Sequence, residues 1–316
     1  GGLGLNKSCK LPHNLMFDQI AHAPGGSSTG AATSIFSGLA PLSVGTDTAG
    51  SIRIPAAWHS LVGFKPSRGK IPMYGVVPLS KSYDTLGIIG KNVRDTKILF
   101  NILSYNNNHD LDFFKKIKIG FINDFNFEKL DNYSKGKIEL LISNISKLGI
   151  KVENIKVPEL KEINEYFSLH GPVVNYEAWK YWKRFVETKL NSIDANVSDR
   201  FLIGKNINNN SFYKTRKKIK FLKSKVLKKF EDYDFFLTPT LSFGPPTIKT
   251  LKKNDKYKLY NNEALNNTRG VNIFDLCAIS LPLNISVRKW LSVSIISRKN
   301  NDNELLAVAE KIESIL

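Results

Sequence analysis

The chain has 316 residues, 42% of them hydrophobic, which is enough to bury a substantial core, and it carries a formal net charge of +18. No stretch approaches the roughly 18 apolar residues of a membrane span and no signal peptide is evident, so no membrane partner is expected and a cytoplasmic location is. The two cysteines, Cys9 and Cys277, lie far apart, which excludes a disulfide framework and cysteine-based metal spacing and fits a reducing compartment.

In chain order, the first informative stretch is Gly25-Gly26-Ser27-Ser28-Thr29-Gly30. Its glycines open backbone conformations closed to other residues. Ser27 and Ser28 stand where a helix over 29–39 would begin, and a helix start presents unpaired N–H groups suited to an anion or oxyanion. A short buried strand is expected at 42–46, followed by a polar turn, Asp47-Thr48-Ala49-Gly50-Ser51. Pro55, tolerated in a first helical turn, then opens a short helix over Ala56, Ala57 and Trp58. Ser51 therefore sits on a tight strand-to-helix connection, 24 residues after Ser27, with the preceding amides converging on it. Two hydroxyls and several free amides brought to one point form the geometry that acyl transfer requires.

Further along, 115–123 reads as a strand, 132–148 as a helix stopped by Gly149, and 151–157 as a strand, a β-α-β rhythm that suggests an α/β layered sheet. Residues 160–230 read as mostly helical, with Tyr176, Trp179, Tyr181, Trp182 and Phe185 forming a helix core face rather than a ligand cage. Strands are expected at 233–239 and 291–297 and a closing helix at 304–316. The Asn/Lys-rich tracts at 105–109, 205–210 and 252–267 read as surface loops. The densest basic stretch, 214–229, carries Ile219, Leu222 and Val226 at helical spacing, continued by Phe230, and reads as an amphipathic helix with a solvated basic face. Such a face can bind nucleic acid by charge alone, but no nucleic-acid module accompanies it, so nucleic-acid binding is not expected. With lysine at 37 positions against 9 for arginine and asparagine plentiful, codon bias is the simpler source of the charge.

The two Gly/Ser loops, the stretch from Gly45 through Arg53-Ile54-Pro55-Ala56-Ala57, Gly63-Phe64-Lys65-Pro66-Ser67-Arg68-Gly69, and Ser82-Tyr83-Asp84-Thr85-Leu86-Gly87 together resemble, in order, the amidase signature family of serine hydrolases. Weaker resemblance continues through Thr238-Pro239-Thr240 and Asn267-Thr268 to Leu281-Pro282. The resemblance implies an α/β fold with a central mixed β-sheet flanked by helices on both faces. It also implies one domain over 1–316, with the catalytic signature in 1–104 and the remaining sheet, a helical substrate-side region and the closing helix in 105–316. Ser51 matches the family nucleophile and Ser27 the bridging serine, whose preceding peptide bond is cis in the family. The backbone amides of Thr48, Ala49, Gly50 and Ser51 match the oxyanion hole. Gly26, Ser28, Asp47 and Arg53 are candidate substrate contacts, although an ion pair or loop hydrogen bonds fixing the turn account for Asp47 and Arg53 more simply. Asp84 is expected to cap a loop near the pocket, and Arg269 is a candidate acyl-side anchor.

The implied reaction is cleavage of a carboxylic amide C–N bond through a serine acyl-enzyme, on a small-molecule amide, with no cofactor and no metal. The family's base is a lysine several dozen residues before the first Gly/Ser loop. Here 26 residues precede Ser27, and Lys7 and Lys10 fall in a segment, 5–15, that matches a later family loop. The chain is therefore expected to be a truncated piece or, as the alternative, a decayed gene product, and to be inactive or nearly so alone, since an unassisted serine is a weak nucleophile. None of His13, His22, His59, His109 and His170 lies in a nucleophile-elbow context, and His59 reads as a packed structural histidine. Two further functions stay open: the glutaminase subunit of a tRNA-dependent amidotransferase, and a silent basic binding protein on the same fold. The former usually has Gln-Pro where this chain has Ile54-Pro55, which favours a stand-alone amidase. A homodimer is left open.

Overall fold

The computed structural model describes residues 2–5, 20–105, 117–253, 255–283 and 290–316. Lys7, Cys9, Lys10, His13 and His109, and most of the loop expected at 105–109, lie outside the described residues. Along the described chain run α1 (Thr29–Phe36), β1 (Leu42–Asp47), α2 (Arg53–Trp58), β2 (Val62–Lys65), β3 (Thr85–Gly90), α3 (Val93–Leu103), β4 (Lys118–Ile122), α4 (Phe125–Glu128), α5 (Asn132–Lys147) and β5 (Lys151–Ile155). They are followed by α6 (Pro158–His170), α7 (Val173–Lys189), α8 (Ala195–Lys205), α9 (Asn209–Lys229), β6 (Phe235–Pro239), α10 (Ile248–Leu251), α11 (Lys256–Ile273), β7 (Cys277–Pro282), β8 (Ser292–Ser297) and α12 (Asp302–Glu313).

The strands form one mixed sheet in the order β1-β3-β2-β7-β8-β6-β4-β5. Pairing is parallel between β4 and its neighbours β5 and β6, and antiparallel elsewhere. The period-two alternation of strands divides the core into two faces. Phe235, Leu237, Ile279 and Ile295 pack on one face with Phe100 of α3, Ile138 and Ile145 of α5 and Leu305 of α12. Phe236, Ala278 and Ile296 point to the other, where α6, α7 and α9 bring Ile163, Phe167, Val174, Leu222 and Val226. Helices therefore flank both faces, as expected. The central strands β2, β6, β7 and β8 are buried along their whole length, whereas the edge strands β1 and β5 are half-exposed. Charged side chains on β5, Lys151 and Glu153, blunt that edge.

Some expectations need correction. The tract at 252–267 is not a surface loop: most of it belongs to α11, whose inner face buries Tyr257, Asn261, Ala264, Leu265, Thr268 and Asn272. Their spacing of three and four residues is helical, but asparagines occupy several of the inward positions and disguise the apolar stripe. In 205–210, the residues at either end belong to α8 and α9. On α7, Tyr176 and Trp179 are buried, but Tyr181 and Phe185 are exposed, so the aromatic cluster is only partly a core face. Trp182 donates from Nε1 to the Pro78 carbonyl at 2.7 Å. Helix α9 buries Ile219, Leu222 and Val226 and leaves its lysines outward, as the pattern implied.

Candidate active site

The site is built where β1 ends and α2 begins. Asp47, the last residue of β1, is completely buried and acts as the staple of the turn. Its Oδ1 accepts from the Gly50 amide at 2.8 Å and its Oδ2 from the Ile52 amide at 3.2 Å. Arg53, also sealed from solvent, donates from Nε to Oδ2 and from Nη2 to Oδ1, both at 3.0 Å. Asn272 adds Nδ2 donations to the Asp47 carbonyl and to Oδ1, both at 2.9 Å. Burial alone would raise the Asp47 carboxyl, but the charge and hydrogen bonds of Arg53, with Lys65 and Asn272, outweigh it and hold the group at about 2. Arg53 also donates to the Thr268 carbonyl at 3.0 Å and to Asn272 Oδ1 at 2.7 Å. Neither Asp47 nor Arg53 has surface to offer a substrate. Both fix the turn, the simpler of the two roles expected of them.

The turn is clamped from α11 as well. Thr268 donates from Oγ1 to the Ala49 carbonyl at 2.6 Å. Gly50 has φ +125°, and a Cβ there would lie 2.0 Å from Thr268 Oγ1, so this position needs glycine for both conformation and space. Thr48 donates to Asp84 Oδ1 at 2.6 Å, while Asp84 Oδ2 accepts from the amides of Leu79 at 2.8 Å and Ser80 at 2.9 Å. Asp84 thus ties a neighbouring loop to the turn, the capping role expected of it. Among the described residues, the amides of Thr48, Ala49 and Ser51 have no acceptor, whereas that of Gly50 is committed to Asp47.

The first Gly/Ser loop lies directly against this turn. The Ser28 amide donates to the Ser51 carbonyl at 3.2 Å, and Ser28 Oγ donates to the Thr46 carbonyl at 3.1 Å. Ser28 is the residue before α1 and makes no side-chain cap. Gly26 donates its amide to the Gly2 carbonyl at 2.9 Å, and the Gly26–Ser27 peptide bond is cis. Ser27 is exposed and Ser51 half-buried, and neither hydroxyl has a partner among the described residues. The structure therefore brings Ser27, Ser28 and Ser51 together over a row of amides. Ser28 meets this point through its amide, whereas the Gly26 amide is spent on the Gly2 carbonyl.

His59 is fully buried, with Nδ1 bonded to the Pro55 carbonyl at 2.8 Å and Nε2 against Thr33 Oγ1 at 3.4 Å. Burial pushes it down to about 4 despite the Pro55 contact, so it is a neutral packing group as expected. Thr268 and Asn272 hold the turn from more than 200 residues away, and treating 252–267 as a loop hid the element that carries them. The helical spacing of α11 was a signal for both, and Thr268 also lies in the Asn267-Thr268 stretch of the family resemblance. Among the described residues no group of three or more His, Cys, Asp or Glu side chains could hold a metal ion, and no helix is long and apolar enough to cross a membrane.

The chain is similar to known proteins in sequence and in fold. The Amidase family model matches residues 19–306. The chain is 27% identical over 322 residues to 2-amino-5-chloromuconic acid deaminase of Comamonas testosteroni, covering 100% of this chain and 69% of the relative. It is 27% identical over 335 residues to the A subunit of the glutamyl-tRNA(Gln) amidotransferase of Halothermothrix orenii, covering 94% and 69%. Among solved structures, Kluyveromyces lactis allophanate hydrolase superposes with a TM-score of 0.83 at 24% identity, over 93% of this chain and 50% of that one, which speaks to the fold. The A subunit of the Thermotoga maritima amidotransferase superposes with a TM-score of 0.72 at 26% identity, over 93% and 66%.

Proposed function

We propose that this chain, which belongs to the amidase family, carries a Ser51 nucleophile assisted by Ser27 that, once a base stands behind Ser27, cleaves a carboxylic amide C–N bond. The observation that supports this most directly is the Ser28 amide bonded to the Ser51 carbonyl at 3.2 Å, which pins the two serine loops together beside unpaired amides. In this reading Ser51 Oγ attacks the carbonyl carbon while its proton passes to Ser27. The oxyanion that forms meets the amides of Thr48, Ala49 and Ser51, donors each worth roughly 3 kcal/mol because the charge develops only in the transition state. Gly50, expected among these donors, serves the Asp47 carboxylate instead. The tetrahedral intermediate collapses by breaking the C–N bond, the amine leaves with a proton returned through Ser27, and water then hydrolyses the Ser51 ester. Ser27 needs a base behind it, and the family resemblance assigns that base to a lysine. Among the described residues no lysine Nζ is hydrogen-bonded to Ser27.

The test is covalent trapping with a fluorophosphonate probe followed by peptide mapping. Labelling of Ser51, abolished in Ser51→Ala and slowed in Ser27→Ala, is the expected result; label on another residue, or label that survives Ser51→Ala, refutes the assignment. Relatives that are the A subunits of amidotransferases favour a second reading, a glutaminase working with partner proteins. Ammonia release from glutamine that appears only with such a partner would decide for it.

A further inference from the structure

The turn that carries the free amides is gripped from three sides. Asp47 holds the Gly50 and Ile52 amides, and Thr268 of α11 holds the Ala49 carbonyl. The third grip comes from Asp84 and Thr85. Thr85 Oγ1 donates to the Asp47 carbonyl at 3.1 Å, while Asp84 takes the Thr48 hydroxyl at 2.6 Å, so these two neighbours fix both ends of the Asp47–Thr48 unit. Asp84 closes the segment 78–84, which belongs to no helix or strand. Among the described residues no cation pairs with its carboxylate, which rests on three neutral donors, the Thr48 hydroxyl and the amides of Leu79 and Ser80. Burial pushes this carboxyl above its usual range although all three donors favour the charged form, and the nearby charge of Glu177 adds to the rise. Its place therefore depends on what holds 78–84.

That hold comes from α7. Glu177 Oε2 accepts from the Ser80 hydroxyl at 2.7 Å and from the Ser82 amide at 3.1 Å, and Trp182 fastens the Pro78 carbonyl. Ser80 is sealed from solvent and joins two carboxylates: its amide serves Asp84 and its hydroxyl serves Glu177. A second negative charge makes Asp84 harder to keep ionised, so what Glu177 contributes is its acceptor oxygen rather than its charge. We propose that Glu177 is a positioning residue for the oxyanion donors, acting through Ser80, Asp84 and Thr48 on the direction of the Thr48 and Ala49 amides. This rests on the reading of Ser51 as the nucleophile, since only then do those amides face developing charge. Losing an oxyanion donor outright costs about 10²–10³-fold in rate. Loosening this chain of bonds at its far end, with Asp47 and Thr268 still in place, is expected to cost about 10-fold, less than the roughly 10²-fold of a 1 Å misplacement.

The test is the rate at which Ser51 displaces fluoride from a fluorophosphonate probe. The Oγ–P bond forms, the P–F bond breaks, the hydroxyl proton passes to buffer, and the phosphoryl oxygen carries the charge that the amides meet. Varying the probe concentration separates its binding constant from the maximal rate. Glu177→Ala is expected to lower the maximal rate about 10-fold and leave the binding constant within about 2-fold, because the amides meet full charge only in the transition state. Glu177→Gln, which keeps an acceptor for Ser80 and Ser82, should restore the rate to within about 3-fold of wild type. Thr48→Val cuts the hydroxyl link to Asp84, and on that background Glu177→Ala should add less than about 2-fold, since both act along one path. Should Glu177→Ala fail to fold, Ser80→Ala, which removes the 2.7 Å bond but keeps the Ser80 amide on Asp84, carries the same comparison. A wild-type rate in Glu177→Ala, no rescue by glutamine, or full additivity with Thr48→Val overturns the proposal. Amide NMR spectra keep the two readings apart: the Thr48 resonance should shift in Glu177→Ala and return in Glu177→Gln whether or not Ser51 reacts. That pattern with unlabelled Ser51 sinks the nucleophile assignment alone, and labelled Ser51 with an unmoved Thr48 resonance sinks this proposal alone.

Discussion

Replacing Asp47 with asparagine tests the staple beneath the active-site turn. The substitution preserves shape but removes the charge facing Arg53, and it leaves one oxygen where two now serve Gly50, Ile52, Arg53 and Asn272. Two routes give the magnitude. The carboxyl is held at about 2 against an ordinary 3.8, and at 1.36 kcal/mol per pH unit this amounts to about 2 kcal/mol. Leaving a buried partner charge uncompensated typically costs about 3–5 kcal/mol. A loss of about 3 kcal/mol is therefore expected in Asp47→Asn, measured by urea unfolding at pH 7. The double variant Asp47→Asn/Arg53→Met should be less destabilised than the single losses added together, with a coupling of about 2 kcal/mol. The pH dependence has a definite sign: the folded carboxyl binds its proton less readily than the unfolded one. The stabilisation is thus fully present above pH 3.8 and is lost as pH falls through about 2. A loss below about 1 kcal/mol, with coupling within the roughly 0.3–0.5 kcal/mol of independent sites, would refute the staple.

Other expectations follow from the same geometry. His59 is held neutral at about 4 against an ordinary 6.5, so between these values the unfolded chain binds more protons and stability falls by about 3 kcal/mol as pH drops from 6.5 to 4. His59→Asn should flatten that slope in urea titrations run across the window, and an unchanged slope would show that another group is responsible. Gly50→Ala places a Cβ 2.0 Å from Thr268 Oγ1 at a φ of +125° and should destabilise the protein by more than about 2 kcal/mol, since the backbone conformation alone costs about 1–3 kcal/mol. A thermal midpoint close to wild type would contradict this. Ser51→Ala should abolish acylation by an activated amide, and Ser27→Ala should slow it by about 10²–10⁴-fold, the usual share of proton transfer. Both should leave stability within about 0.5 kcal/mol, because neither hydroxyl has a partner among the described residues. Unfolding midpoints that move with the loss of activity would indicate damage to the loop instead.

The serine loops were legible from sequence because their chemistry is local. Glycines at 25, 26, 30 and 50 and the polar run 47–51 mark tight backbone next to a helix start, and the strand Leu42–Asp47 and helix Asn132–Lys147 announce themselves by periodicity. Helix α11 did not, because Asn261 and Asn272 occupy inward positions that an apolar pattern would have flagged, and their burial makes sense only against Gly2, Asp47 and Arg53. Which backbone amides are free was likewise undecidable from residue type, since the Gly50 amide is consumed by a carboxylate whose orientation depends on Arg53 and Asn272. The bond from Ser80 to Glu177 joins a loop to a helix position 97 residues further along the chain. By itself, then, the sequence determined where the backbone turns and which hydroxyls stand on those turns, because these depend on neighbouring residues. Only the tertiary structure decided which polar groups are satisfied and which stay open to a substrate, because hydrogen-bond partners and counter-charges come from elements far apart in the chain.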